Sequence, residues 1–414
     1  MLRVVEAFSG IGSQAKALER IGVDHIILNT IDWDITACYA YDLIHNGPQD
    51  ISVYKDYEKK DLLDALCKYS LSLDGKTPAS RNNFRGMPSE TLKHFLCSIE
   101  RTRNLGSITD ICGDDLPSNI DLLTYSFPCQ DLSISGAFHG NMSGIDRNAH
   151  NRSGMLWEVE RLLKEIHSAG HRLPKFLLME NVSNILSSAH RKNFAEWQDF
   201  LEKLGYYNKV YTLDASNFGN PQKRVRTYMI SVFCSNSKKT RLVEKYFEKN
   251  DLEKREPLPI PPLDYYLRTD YSVDKYRIEA DASNMNDTPS RKKIYSDNEI
   301  VFDGKKSIKN KIKTLTTKQD RNPTCGILEY PEHKEGKSRY RNITPRECFL
   351  LMGFDESDYD ILAENDIPYN SVKTIYSRER KERLAGNSIV VNVLVEIFKQ
   401  IIDLRYALWP YTKE

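Results

Sequence analysis

Between Arg3 and Phe233 short β-rich runs alternate with helix-favouring ones, and this alternation restricts the fold more than any other property of the chain. RVVEAF (3–8) leads into a glycine turn and the helix formers of SQAKALERIG, and HIILN (25–29) supplies a second strand. The pattern resumes at IDLLTYSF (120–127) and continues through GMLWEVERLLKEIH, KFLLMENV (175–182) and HRKNFAEWQDFLEKLG. It ends in two β-rich segments, YNKVYTLDA and RVRTYMISVF (224–233). Strands separated by helical crossovers pair in parallel, because a chain must cross the sheet face to return in the same direction. The expected fold class is therefore α/β, an open and mostly parallel sheet.

Two departures divide the chain. From about 50 to 106 the sequence is polar with amphipathic pieces (LLDALCKYSLSL, TLKHFLCSIE), which predicts a helical insertion. After Phe233 a Lys/Glu-rich run leads to PLPIPPLDYY, whose four prolines exclude regular helix and mark a connector. The closing run GNSIVVNVLVEIFKQIIDL is apolar enough to need the large core. The division that follows is a first domain over 1–232, a second with its connectors over 233–382, and a carboxyl-terminal helix over 383–414 returning to the first. The net charge is only +1, so local charge must report on partners. Residues 291–341 carry 14 Lys/Arg against 7 Asp/Glu, a phosphate-contacting candidate, although by itself such a stretch is more often a solvated loop. Eight cysteines without a C-x-x-C pair argue against a metal site and for reduced thiols. The amino-terminal MLRVVEAF lacks the pattern of a cleaved leader, and no run approaches a membrane span, so a soluble, intracellular protein without membrane association is expected.

Gly10 and Gly12 lie between a strand and a helix, where backbone amides can approach a ligand. Asp32 follows Gly12 at the distance that lets a carboxylate meet ribose hydroxyls, with Trp33 beside it to pack on a purine. Together they imply a nucleoside-containing cofactor, NAD or S-adenosylmethionine. Cys129 and Glu180 each fall at the carboxyl end of a strand, the edge at which open α/β sheets bind ligands. Alone, a cysteine there is more often an inert small hydrophobe, and the carboxylate a helix cap. Arg224 and Arg226, two residues apart in a β-rich run, should share one strand face.

PCQ with SISG, LLMENV, QKRVR (222–226), RNITPRECFLLMGF (341–354) and GNSIVVNVL (386–394), preceded by FSGIGS, resemble in content, order and spacing the motifs of the DNA (cytosine-5) methyltransferases of prokaryotic or phage restriction-modification type. The resemblance implies a Rossmann-like S-adenosylmethionine-dependent methyltransferase sheet with a smaller target-recognition domain. It implies that Cys129 is the nucleophile, Glu180 activates the cytosine ring, and Arg224 and Arg226 orient base, nucleophile or phosphate. Phe8, Gly10, Gly12, Asp32, Trp33, Pro128, Asn387 and Ser388 would bind S-adenosylmethionine and its product S-adenosylhomocysteine. Gln130 and Ser135 would contact double-stranded DNA after base flipping. The acid that the family carries at the end of its third strand is either replaced by Ser107 in this chain or displaced into the insertion. The implied enzyme is a cytoplasmic or nucleoid monomer acting on a short GC-containing duplex site, with any cognate restriction endonuclease acting separately. The alternatives are a tRNA cytosine-5 methyltransferase, a catalytically silent DNA-binding relative, and an NAD-dependent oxidoreductase, the last of which leaves PCQ, ENV and the arginines unexplained.

Overall fold

The computed structural model describes residues 1–128, 145–147 and 152–410. The chain forms two compact units: Met1–Leu213 with Val225–Arg255 and Val395–Glu414, and Asp214–Arg224 with Glu256–Leu394.

The first unit is built on six strands, β1 (Leu2–Ala7), β2 (His25–Ile31), β3 (Leu122–Tyr125), β4 (Phe176–Val182), β5 (Tyr206–Asp214) and β6 (Val225–Phe233), in the order β2-β1-β3-β4-β6-β5. The pairs β1–β2, β1–β3 and β3–β4 are parallel, and β4–β6 is antiparallel. Its helices are α1 (Ser13–Ile21), α2 (Ile35–Asn46), α3 (Lys59–Leu66), α4 (Arg81–Arg85), α5 (Ser89–Thr102), α6 (Leu156–Ser168), α7 (Arg191–Lys203) and α8 (Ser237–Lys249). Every residue of β3 is buried, as a central strand covered on both faces requires. One layer of the core packs Leu156, Val159, Leu163 and Ile166 of α6, spaced for one helix face, with Leu123, Tyr125, Leu177 and Met179.

Register decides where the chemistry can lie. Ala7 stands opposite both Ile31 and Tyr125, and Tyr125 stands opposite Met179. β1, β2 and β3 thus finish in one level row, past which β4 continues from Met179 to Val182, and the chain passes β2 on one side of β1 and β3 on the other, so the loops diverge above that row.

The insertion between α2 and β3 is helical, comprising α3, α4 and α5. Its α5 buries Leu92, Phe95, Leu96 and Ile99 and packs on α2.

The second unit holds α9 (Asp274–Ser283), α10 (Pro289–Ser296), a three-stranded sheet of β7 (Ile300–Phe302), β8 (Ile327–Glu329) and β9 (Tyr340–Asn342), then α11 (Pro345–Leu351), α12 (Glu356–Glu364) and α13 (Arg378–Asn387). The last helix, α14 (Val391–Leu408), begins here and continues into the first unit from Val395. RNITPREC is explained by local chemistry: Thr344 caps α11, Pro345 occupies its first turn, and Glu347 closes a capping box. Glu347 also takes two hydrogen bonds from the fully buried Arg341 guanidinium, at 2.9 and 2.8 Å.

Two sequence expectations meet a different structure. The boundaries drawn at 232 and 382 fall instead after Arg255 and Leu394, and residues 214–224 join the second unit. The reason is pairing that composition does not show. Leu258 donates to the Asn217 carbonyl, and Lys223 and Ile312 donate to the carbonyls of Ile312 and Pro221, each at 2.9 Å. The carboxyl-terminal run also contains a window, within 378–408, apolar enough to span a membrane, but 61% of it is buried, as befits a core helix.

Candidate active site

The glycine turn after β1 is left-handed at Phe8 (φ 56°), Gly10 (φ 55°) and Gly12 (φ 80°). That succession turns the chain sharply from strand to α1 and exposes backbone amides. A methyl group at Gly12 would sit 2.1 Å from His45 Nε2, so only glycine fits there. The His45 ring joins the Ile11 carbonyl, 3.1 Å from Nε2, to Glu19, 2.7 Å from Nδ1, and thereby ties the turn to α2.

Asp32 follows the end of β2. Its Oδ2 accepts from the Gly10 amide at 2.8 Å and its Oδ1 from the Asp34 amide at 2.9 Å. Burial, reinforced by the neighbouring Asp34 charge, raises the Asp32 carboxyl to about 6. Asp34 caps α2 by accepting from the Thr36 and Ala37 amides. Trp33 is half-buried. The donors and acceptors here suit a ribose: the carboxylate is held by backbone on one side of each oxygen, which leaves its outer lone pairs for hydroxyls. The Ser107 hydroxyl lies 2.7 Å from that of Thr109.

Beyond β3, Phe127 is buried and Pro128 half-buried. The buried Asn181 donates from Nδ2 to the Phe127 carbonyl at 3.0 Å, which holds the chain just beyond β3 against β4. Cys129, Gln130 and Ser135 lie outside the described residues. Glu180 lies on β4 one residue beyond Met179, which stands opposite the end of β3. Arg226 stands opposite Val182, two residues beyond Glu180 on the same face, and its Nε lies 3.4 Å from Glu180 Oε1.

Arg224 does not share that face. Strand β6 begins at Val225, and Arg224 belongs to the second unit, where its buried guanidinium donates to the carbonyls of Leu315 (3.1 Å), Gly386 (3.0 Å) and Ser388 (3.0 Å). Gln222 accepts from the Leu315 amide at 2.8 Å, so QKR fastens Thr314–Thr317 and GNS together. A Cβ at Gly386 would lie 2.7 Å from the Thr316 carbonyl oxygen, which accounts for that glycine. Asn387 is the exposed last residue of α13, and Ser388, which follows it, donates to the Leu384 carbonyl at 2.8 Å; neither opens α14.

The family model described as C-5 cytosine-specific DNA methylase matches residues 88–403. The chain belongs to that family. This DNA methylase is 33% identical to the orphan methyltransferase M.SssI of Spiroplasma monobiae, over 97% of both chains. It is 30% identical to the type II methyltransferase M2.ScrFI of Lactococcus lactis subsp. cremoris, over 97% of this chain and 99% of that one. Among solved structures it resembles the Dnmt2 methyltransferase of S. pombe, with a TM-score of 0.55 and 19% identity over 97% of this chain and 98% of that one, a likeness of fold. The protein is thus a C-5 cytosine DNA methyltransferase of the restriction-modification type, and its family generally uses S-adenosylmethionine.

Three residues of this methylase escape a reading by motif: His45 under the glycine turn, and Ser72 and Asn104 from the insertion, which bond to the backbone around Asp32. Their roles come from backbone hydrogen bonds across long sequence separations, and no spacing rule announces those.

Proposed function

We propose that the enzyme methylates carbon 5 of a flipped-out cytosine in a short duplex DNA site, through a covalent bond to Cys129, with S-adenosylmethionine bound at the β1–β2 edge. The observation that carries this reading is the register of the first unit, which ends β1, β2 and β3 level with Met179 of β4 and so brings Asp32, Pro128 and Glu180 to one edge.

The cofactor supplies an electrophilic methyl group. Phe8, Gly10 and Gly12 shape the turn for its methionine part, Asp32 accepts from ribose hydroxyls, and Trp33 packs on adenine. Pro128 directs the following cysteine. The Cys129 thiolate adds to carbon 6 of cytosine, and the electron pair of the 5,6 double bond becomes available at carbon 5. Glu180 hydrogen-bonds or protonates ring nitrogen 3, which keeps negative charge from accumulating on the ring. Arg226, beside Glu180, orients the base. Once carbon 5 carries the methyl group, loss of its proton restores the double bond and expels Cys129 Sγ. Rotating the base out of the stack costs roughly a few kcal/mol, and Gln130 and Ser135 occupy the space it leaves.

Within the second unit, Arg224 holds the carbonyls of Gly386 and Ser388 at the end of α13, on either side of Asn387. The second unit reads the DNA, and its exposed Lys305, Lys306, Lys309 and Lys318 are suited to phosphate contact. The enzyme acts as a monomer in the cytoplasm or nucleoid, and any cognate endonuclease is a separate protein.

The test is to incubate the enzyme with unmethylated genomic DNA and S-adenosylmethionine and then map 5-methylcytosine. A recurrent short site is expected. Methyl transfer to tRNA with none to duplex DNA would overturn the proposed substrate, and failure to trap an adduct on 5-fluorocytosine DNA would overturn the covalent step.

A further inference from the structure

The insertion between α2 and β3 ends beside the cofactor edge. After α5 the chain runs along the end of β2: Leu105 donates to the Thr30 carbonyl at 3.0 Å. The Asn104 side chain continues this pairing where the strand stops. Its Oδ1 accepts from the Asp32 amide at 3.0 Å, while its Nδ2 donates to the Asp32 carbonyl at 2.8 Å and meets Cys38 Sγ. The same Oδ1 accepts from the Gly106 amide at 3.0 Å, which fixes the amide group from its own chain. Asn104 is 2% exposed, so these bonds are not exchanged for water. They are not needed to finish α5, which closes through a left-handed Arg103 and the backbone bond from Asn104 to Ile99 at 2.9 Å.

A second arm of the insertion reaches the same stretch. Ser72 donates its amide to the Trp33 carbonyl at 2.6 Å and accepts from the Ile35 amide at 3.0 Å. The turn that follows is held by Asp74, which accepts from the Lys76 and Thr77 amides at 2.8 and 2.9 Å, and it lies close to Asp34 at Gly75. Residues 32–35 are therefore gripped on both sides by a segment that carries none of the family motifs.

We propose that Asn104 is a positioning residue for the cofactor site: by clamping both polar groups of the Asp32 backbone it sets the direction of the Asp32 carboxylate, and with Ser72 it makes the insertion the supporting wall of the nucleoside subsite. The proposal rests on the reading of Asp32 as the ribose acceptor. A residue whose N–H and C=O are both fixed leaves its side chain little freedom beyond its own rotamers, and here the carboxylate is further held by two amides. Losing the clamp loosens the acceptor without touching the cofactor itself.

The test measures S-adenosylhomocysteine binding by calorimetry in the full-length protein, Asn104→Ala, Asp32→Ala and the double variant, alongside KM and kcat. Asn104→Ala is expected to weaken binding and raise the KM for S-adenosylmethionine by about tenfold, with kcat changed less than about threefold. In the Asp32→Ala background the same substitution should cost less than about twofold, since a clamp has no further effect once the group it aims is gone. An equal loss in both backgrounds, or no loss in Asn104→Ala while Asp32→Ala is weakened, overturns the positioning role alone. If the parent does not bind S-adenosylhomocysteine, or Asp32→Ala binds it unchanged, the cofactor reading falls and takes the proposal with it. Should Asn104→Ala fail to fold, Asn104→Asp keeps both accepted bonds and loses the donated one. Weaker binding in that variant supports the clamp, and unchanged affinity defeats it.

Discussion

Arg226 meets Glu180 because an antiparallel neighbour places residues two apart on adjoining strands within side-chain reach. In the proposed chemistry Glu180→Gln keeps the shape and removes the proton donor. It should lower kcat by roughly 10²–10⁴-fold while DNA and S-adenosylhomocysteine affinities hold. Parent-like single-turnover rates in that variant would remove Glu180 from the chemistry. Cys129→Ser should abolish methyl transfer and preserve DNA binding in a gel-shift assay, because the hydroxyl is a far weaker nucleophile toward carbon 6. Glu6 makes a different prediction. It is fully buried in β1, and burial raises its carboxyl to about 7, with His45 and Tyr41 acting in the opposite direction. A carboxyl whose folded-state pKa lies above its unfolded value binds protons that the unfolded chain releases, so its contribution to stability declines as pH rises through that window. For Glu6 the window runs from 4.5 to about 7. The Tm of Glu6→Gln relative to the parent should therefore rise between about pH 5 and pH 8. A pH-independent difference would mean that Glu6 does not titrate there.

At the scale of elements, the glycines of two motifs serve packing as much as ligand approach. Gly12→Ala would drive a methyl group into His45 at a left-handed φ of 80°, and Gly386→Ala would press one onto the Thr316 backbone. Backbone cannot retreat as a side-chain tip can, and each substitution should cost about 1–3 kcal/mol in urea denaturation. Gly12→Ala should also lose S-adenosylhomocysteine binding, because His45 displaced from Ile11 no longer fixes the turn. Helices of the first unit such as α6, which buries Leu156, Val159, Leu163 and Ile166 on one face, were readable from periodicity, and central strands such as the wholly buried β3 from their unbroken apolar runs. The place of Arg224 was not readable. Two arginines two apart look like one strand face, yet the strand starts between them, and its start is set by the Asp214 carboxylate accepting from the Arg224 amide at 3.1 Å.

For the molecule as a whole, a charge of +1 conceals an uneven distribution. Many basic residues of the 291–341 stretch are matched by acids in the structure, among them Lys313 with Glu299, Lys334 with Asp281 and Arg339 with Glu329. Lys305, Lys306, Lys309 and Lys318 are exposed in the segment between β7 and β8. If they touch phosphates, replacing Lys306 and Lys309 together by Ala should reduce the slope of log K against log salt for duplex binding by about 1.8, since each phosphate left without its lysine removes about 0.9. A slope equal to the parent's would reduce this segment to a solvated loop. The boundary between units also belongs to this scale. Composition marks the proline-rich connector, whereas the excursion of 214–224 into the second unit depends on pairing with residues about forty and about ninety positions away, which only a folded chain reveals.

The sequence by itself determined the α/β class, the family, and the identity of the groups proposed to act, because hydrophobic period and reactive residue types are local properties carried in order along the chain. Tertiary structure alone decided that β1, β2 and β3 end level, that Arg226 rather than Arg224 stands beside Glu180, and that the 50–106 insertion supports Asp32 through Asn104 and Ser72. Those facts depend on register and on hydrogen bonds to backbone, and backbone groups are the same at every position, so no residue name records which of them will meet.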